Sequence, residues 1–167
     1  MVAVSNVAML RCGLYRTTRA FADDVPAGIL VNFHNHSDLN EPVLHLPVFS
    51  TFNRWQWDKK GRPVRERSYL ETLRALLPEG YYMLREGVRF EEAEWPQRSL
   101  VQLGYDRAAK PILFLAQRRF HLAENTLFFA ERGVPWERAD FEKALESVVI
   151  FEEPDPNSAG GEAPIAT

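Results

Sequence analysis

The sequence predicts a β-dominated α+β fold. It is expected to hold two tandem modules, each a small twisted sheet or partly closed β-barrel of SH3-like size ending in a short helix. Three observations carry this expectation: an internal duplication, strand-like alternation within each copy, and a helix-start signal near the end of each copy. The duplication is clearest between Pro26–Leu46 and Pro96–Leu115, where P-A-G-I-L-V-N-F-H-N-H-S-D-L-N-E-P-V-L-H-L lies against P-Q-R-S-L-V-Q-L-G-Y-D-R-A-A-K-P-I-L-F-L. Pro26 answers Pro96, Leu30-Val31 answers Leu100-Val101, and Pro42 answers Pro111. Self-similarity of this kind sets the unit whose folding has to be explained.

The match extends both ways. Gly13-Leu14-Tyr15 stands opposite Gly80-Tyr81-Tyr82, and Asn53–Val64 stands opposite Asn125–Trp136. Gly61, Pro63, Tyr69 and Leu73 recur as Gly133, Pro135, Phe141 and Leu145, each at the same offset. The expected organisation is residues 10–77 as the first module, 78–150 as the second and 151–167 as a flexible acidic tail. A module of about 65–70 residues is near the lower limit for an independent core, so one pseudo-symmetric β-barrel using both copies is the alternative.

Within the first copy, Gly13–Phe21 is rich in β-branched and aromatic residues and reads as a strand. Ile29–Asn35 alternates, with Leu30, Asn32, His34 and His36 on one face and Ile29, Val31 and Phe33 on the other. Pro42 leads into a strand over Val43–Phe49, and Arg54–Asp58 places Trp55 and Trp57 on one face. Ser68-x-x-Glu71 has the form of a capping box, and Asp140 is its N-cap counterpart. Tyr69, Leu73 and Leu76, like Phe141, Leu145 and Val148, fall on one helical stripe. Leu77-Pro78-Glu79-Gly80 leaves almost no linker, so the modules are expected to pack together.

A hydrophobic fraction of 46% with 12% aromatics indicates a chain that builds a core. No apolar run approaches the roughly 18–20 residues of a membrane helix, so no membrane partner is expected. The lone Cys12 excludes an internal disulfide and fits a reducing compartment, and no signal peptide is read, so a cytoplasmic location is expected. Ten Arg/Lys against seven Asp/Glu give residues 10–77 a net charge of +3; ten against twelve give 78–150 a charge of −2; the tail carries −4. No concentrated basic stripe is present, which argues against nucleic acid as a partner.

The densest chemistry lies at His34, His36, Glu41 and His45. On a strand, His34 and His36 project from one face about 7 Å apart, a span that two imidazoles close around one ion, with Glu41 or His45 as a third ligand. The spacing Gly28-x5-His34-x-His36-x4-Glu41 resembles the first metal motif of the cupin family. That resemblance implies a β-barrel holding a divalent metal. The competing reading makes His34, His36 and Asp38 a polar strand end with an Asx-type turn. In the second copy Gly104 and Asp106 replace the two histidines, so the shared scaffold does not require them.

No nucleophile constellation or glycine-rich phosphate loop stands out, and Cys12 reads as a small inert residue. Trp55, Trp57, Trp95 and Trp136 are more aromatic surface than two small cores easily hide, and are candidates for binding a partner. The acidic Glu91, Glu92 and Glu94 before Trp95 form a hairpin loop able to meet a basic partner. The leading expectation is therefore a non-catalytic interaction module: an accessory, adaptor or structural subunit that docks on another protein or on itself, with no cofactor. A cupin-like metal-dependent enzyme is the second expectation. A small immunity or inhibitor protein with an acidic docking loop is the third.

Overall fold

The computed structural model describes residues 10–35, 41–90, 93–118, 126–138 and 140–148. In chain order the first elements are β1 (Gly13–Arg16), β2 (Leu30–His34), β3 (Val43–His45), β4 (Pro47–Thr51), β5 (Arg54–Trp57), β6 (Arg62–Pro63), α1 (Arg67–Leu70) and β7 (Arg74–Ala75). They are followed by β8 (Gly80–Leu84), β9 (Val88–Phe90), β10 (Ala93–Trp95), β11 (Leu100–Tyr105), β12 (Pro111–Arg118), β13 (Leu127–Phe129) and β14 (Val134–Pro135). A 3-10 turn (Phe141–Ala144) and β15 (Leu145–Ser147) come last. The fold is β-dominated, and every strand pair is antiparallel.

One sheet has the order β6-β3-β2-β1-β7. A second has the order β13-β12-β11-β8-β15, with β14 also paired to β12, and β4-β5 and β9-β10 form separate two-stranded sheets. The registers of the two larger sheets correspond pair by pair. Leu14 faces Asn32 as Tyr81 faces Gln102. Phe33 faces Leu44 as Leu103 faces Leu113, and Val43 faces Pro63 as Ile112 faces Pro135. Tyr15 faces Ala75 as Tyr82 faces Ser147. Tyr15 and Tyr82 each donate a phenolic hydrogen bond to the carbonyl four residues earlier, of Arg11 (2.7 Å) and Pro78 (2.8 Å).

Among the described residues no sheet closes into a barrel, so neither barrel expectation is met. The reason is local. The edge strands β6, β7 and β14 have two residues each, and Pro63 and Pro135 remove a donor from two of them. The helices are shorter than the stripe suggested. α1 is a single turn with Glu66 at its N-cap, and Ser68 lies inside it, donating to Glu66 Oε1 (2.6 Å). The expected capping box therefore does not form. Tyr69 and Leu73 are both buried, but through a turn followed by β7 rather than along one helix. Asp140 precedes a 3-10 turn and makes no side-chain cap.

Two apolar clusters lie under the two sheets. Tyr15, Val25, Val31, Phe33, Leu44, Val64, Tyr69 and Leu73 fill the first. The second is built on Leu84, Trp95, Val101, Leu103, Leu113, Trp136 and Phe141, and it also takes Leu30 from β2. Alternation along β2 thus divides its side chains: Val31 and Phe33 go to their own core and Leu30 to the other. The Leu30 N–H donates to Arg107 O (2.9 Å), which fixes that crossing.

At the outer rim, Arg62 joins two segments. Its Nε donates to Asp24 Oδ2 (2.7 Å) with Nη2 ion-paired to the same oxygen (2.6 Å), and its Nη1 donates to Asp58. Asp58 in turn accepts the Leu46 N–H (3.1 Å). Arg62 and Asp58 are both mostly buried, so truncating the cation strands a carboxylate. Arg62→Ala is expected to lower stability by about 2 kcal/mol in urea denaturation. Asp24 is held below the usual carboxylate range by the Arg62 hydrogen bond. Its contribution is present at neutral pH and lost as pH falls through that lowered value, so the Arg62→Ala deficit should shrink in acid.

Candidate functional site

The β4–β5 hairpin forms a two-stranded sheet of its own and packs on the second of the larger sheets. Its two central residues, Phe52 and Asn53, both have positive φ (51° and 62°), the geometry of a tight two-residue turn. Phenylalanine is an unusual occupant of that region, and the turn is held from outside. Gln102 on β11, 4% exposed, donates through Nε2 to Phe52 O (2.9 Å) and accepts from Asn53 Nδ2 (3.1 Å). The Asn53 carbonyl passes so close to Gly104 that a Cβ there would lie 2.9 Å from it. The Arg54 guanidinium lies over the Tyr81 ring (5.7 Å), and the Trp55 indole donates to Tyr105 O (2.7 Å). Gly104→Ala is therefore expected to lift the hairpin, costing about 1–3 kcal/mol and lowering the melting temperature. Gly13→Ala, which meets no atom, should strain only its own backbone.

Among the described residues, the corresponding face of the first sheet holds an open groove. A groove of about 700 Å³ runs between that sheet and the inner side of the β4–β5 hairpin, lined by Leu14, Asn32, Trp55, Trp57, Leu76 and Glu79. Leu14 and Asn32 occupy the register positions that Tyr81 and Gln102 occupy on the second sheet. There, Tyr81 stacks on Phe129 (5.2 Å) and Gln102 holds the hairpin tip. The mouth of the groove carries the exposed Cys12, whose thiol donates to Asn35 Oδ1 (2.9 Å). Asn35 in turn donates to Leu10 O (2.9 Å).

Glu79 is the acidic group of the groove, which Arg11 and Arg54 also line. Its Oε2 accepts the Trp55 N–H (3.2 Å), while Oε1 is buried without a hydrogen-bond partner among the described residues. Burial pushes its carboxyl above the usual value, against the backbone N–H groups of Trp55 and Tyr105 and the Arg54 charge. Nearby, burial raises the Tyr105 phenol strongly, and its hydroxyl donates to Leu77 O (2.9 Å).

The residues singled out from the sequence fall in several places. His34 is half-buried on β2, opposite Val43. Glu41 pairs with Arg65 (3.4 Å), and His45 Nδ1 lies 2.7 Å from Asp58 O. His36 lies outside the described residues. Among those described, no group of three or more His, Cys, Asp or Glu is placed to hold a metal. Trp95 and Trp136, 6% and 3% exposed, are core side chains joined through Phe90. Trp55 and Trp57 are half-buried walls of the groove. Glu94 is exposed on β10, while Glu91 and Glu92 lie outside the described residues.

Sequence reasoning passed over Leu14, Asn32, Glu79, Gln102 and Gly104. The alignment of Asn32 with Gln102 was the available signal, since it places an amide at one register position of both copies. Three apolar side chains, Val48, Phe49 and Phe52, are exposed on the hairpin that walls the groove, Phe52 to 89%. No helix among the described residues is long and apolar enough to cross a membrane. Compared with known proteins, the chain matches no family model, and neither curated proteins nor solved structures match it significantly.

Replacing Glu79 by Gln tests the cost of the buried carboxylate. Because its folded-state value is raised, wild-type Glu79 contributes stability that is full in acid and is lost as pH rises through that value. Glu79→Gln should therefore gain on the wild type between pH 4 and pH 7.5 in paired denaturation curves. A variant that loses ground to the wild type as pH rises would contradict the assignment.

Proposed function

We propose that the chain is a doubled β-rich unit that works without catalysis, as an accessory, adaptor or structural subunit, and that it docks a partner protein in the groove of the first sheet. The observation that carries this reading is the contrast between two faces in equal register. The face bearing Tyr81 and Gln102 is closed by a hairpin, while the face bearing the half-buried Leu14 and Asn32 keeps an apolar groove among the described residues. A concave surface with two half-buried indoles and a few polar groups has the composition in which binding energy concentrates. The exposed Val48, Phe49 and Phe52 extend that apolar surface along the same hairpin.

The amide of Asn32 offers a donor and an acceptor to an incoming segment, as Gln102 donates to Phe52 O and accepts from Asn53 Nδ2. Glu79 adds an acceptor deeper in the groove. Such a set suits a protein segment, which supplies both apolar side chains and backbone polar groups.

A photo-crosslinking residue at Gln56, which is exposed on the groove wall, tests this reading. It should label a protein when the purified chain is added to its native extract, and Asn32→Lys in the same chain should abolish the labelling without changing the melting temperature. Labelling that survives Asn32→Lys would remove the groove from the function.

A further inference from the structure

Resting on that reading, we infer that in the free chain the groove is held by the chain's own residues 149–153, which a partner must displace. The path of the backbone leads there. β15 pairs antiparallel with β8, and the Val148 N–H donates to Tyr81 O (3.1 Å). β8 is itself entered from the first sheet, where the Leu76 N–H donates to Leu14 O (3.0 Å), through Leu77, Pro78 and Glu79. A strand that continues beyond Val148 therefore runs back along this connection, from the second sheet towards the first. Leu76, Pro78 and Glu79 line the groove, and Glu79 is only two residues from Tyr81. At about 3.3 Å per residue, two or three residues of extended chain cover that distance. Ile150 and Phe151 are the residues so delivered.

The first half sets a precedent for the crossing. Its Leu76 stands in the register that Val148 takes in the second half, and Leu76 and Leu77 cross to pack on the second core.

The order of side chains suits the site. Val149, Ile150 and Phe151 are apolar and find apolar walls in Trp55, Trp57 and Leu76. Glu152, Glu153 and Asp155 follow, and Arg11 and Arg54 outnumber Glu79 among the charged groups of the groove. From Phe151 onward the chain carries four acids and no base, whereas residues 10–77 carry +3. Opposite signs favour this contact and make it sensitive to salt. A tethered segment acts at an effective concentration no free partner easily matches, so it lowers the apparent affinity of every competitor for the groove.

The test irradiates the purified full chain, carrying the photo-crosslinking residue at Gln56, with no extract added. The expected product has the mass of one chain, and its crosslinked peptide contains residues 149–153. In parallel, a labelled peptide of residues 149–155 is titrated against the wild type and against Ile150→Asp/Phe151→Asp. The double variant should bind it about tenfold more tightly than the wild type, less so in high salt. Asn32→Lys added to that variant should abolish the binding. Equal affinity for the two chains overturns the inference, as does irradiation that joins Gln56 to another segment, to a second copy or to nothing. The wild-type crosslink decides the matter even where the double variant fails to fold. If the inference falls while Gln56 labels an extract protein in an Asn32-dependent way, the partner reading stands. An internal crosslink, with no extract protein labelled by the double variant, removes the partner reading alone.

Discussion

Everything in this structure hangs on how the Phe52-Asn53 turn is held against the second sheet. A turn with two consecutive positive φ values, one on a phenylalanine, is costly unless its surroundings over-determine it. Gln102 provides that restraint with a single buried amide that both donates and accepts. A satisfied buried amide of this kind contributes little net energy but much geometry, because any shift of register would strand both of its polar ends. Gly104 completes the seat by leaving out the one atom that would collide with the Asn53 carbonyl. With the turn in place, Trp55 reaches Tyr105 O, Arg54 covers Tyr81, and Leu30 can enter a core that belongs mostly to the other sheet.

Much of the β character was legible, because period-two alternation is a local property. The alternation over Arg54–Asp58 places both tryptophans on one side, and both are half-buried there. The alternation around Val31 and Phe33 separates two faces, and Leu30 and Val31 indeed enter different cores. The correspondence between Leu14-Asn32 and Tyr81-Gln102 was readable as sequence and returns as equal register.

What escaped is what depends on partners distant in the chain. Ser68-x-x-Glu71 has the letters of a capping box, yet the helix starts earlier and Ser68 binds Glu66 within a single turn. Tyr69 and Leu73 kept their burial because a turn and a strand can place them inward as well as a helix can. Trp95 and Trp136 looked like surplus aromatics only while the second core was thought to be small. It accepts Leu30 from the first sheet and is backed by Trp55 and Trp57, so there was room for two more indoles. Glu79 stood in a linker of unremarkable letters. Only the fold shows that a Trp55 N–H holds one of its oxygens and burial isolates the other.

The groove itself follows from side-chain length acting on a common register. Where Tyr81 and Gln102 stand, an aromatic ring and a long amide reach across to Phe129 and to the hairpin tip, and the face is closed. Where Leu14 and Asn32 stand, each side chain is shorter, the wall opposite is the pair Trp55 and Trp57, and about 700 Å³ is left between them. Apolar walls around a volume of that size keep a standing hydrophobic incentive for something to enter. The same exchange of long for short residues explains why one face had to be covered within the chain and the other did not.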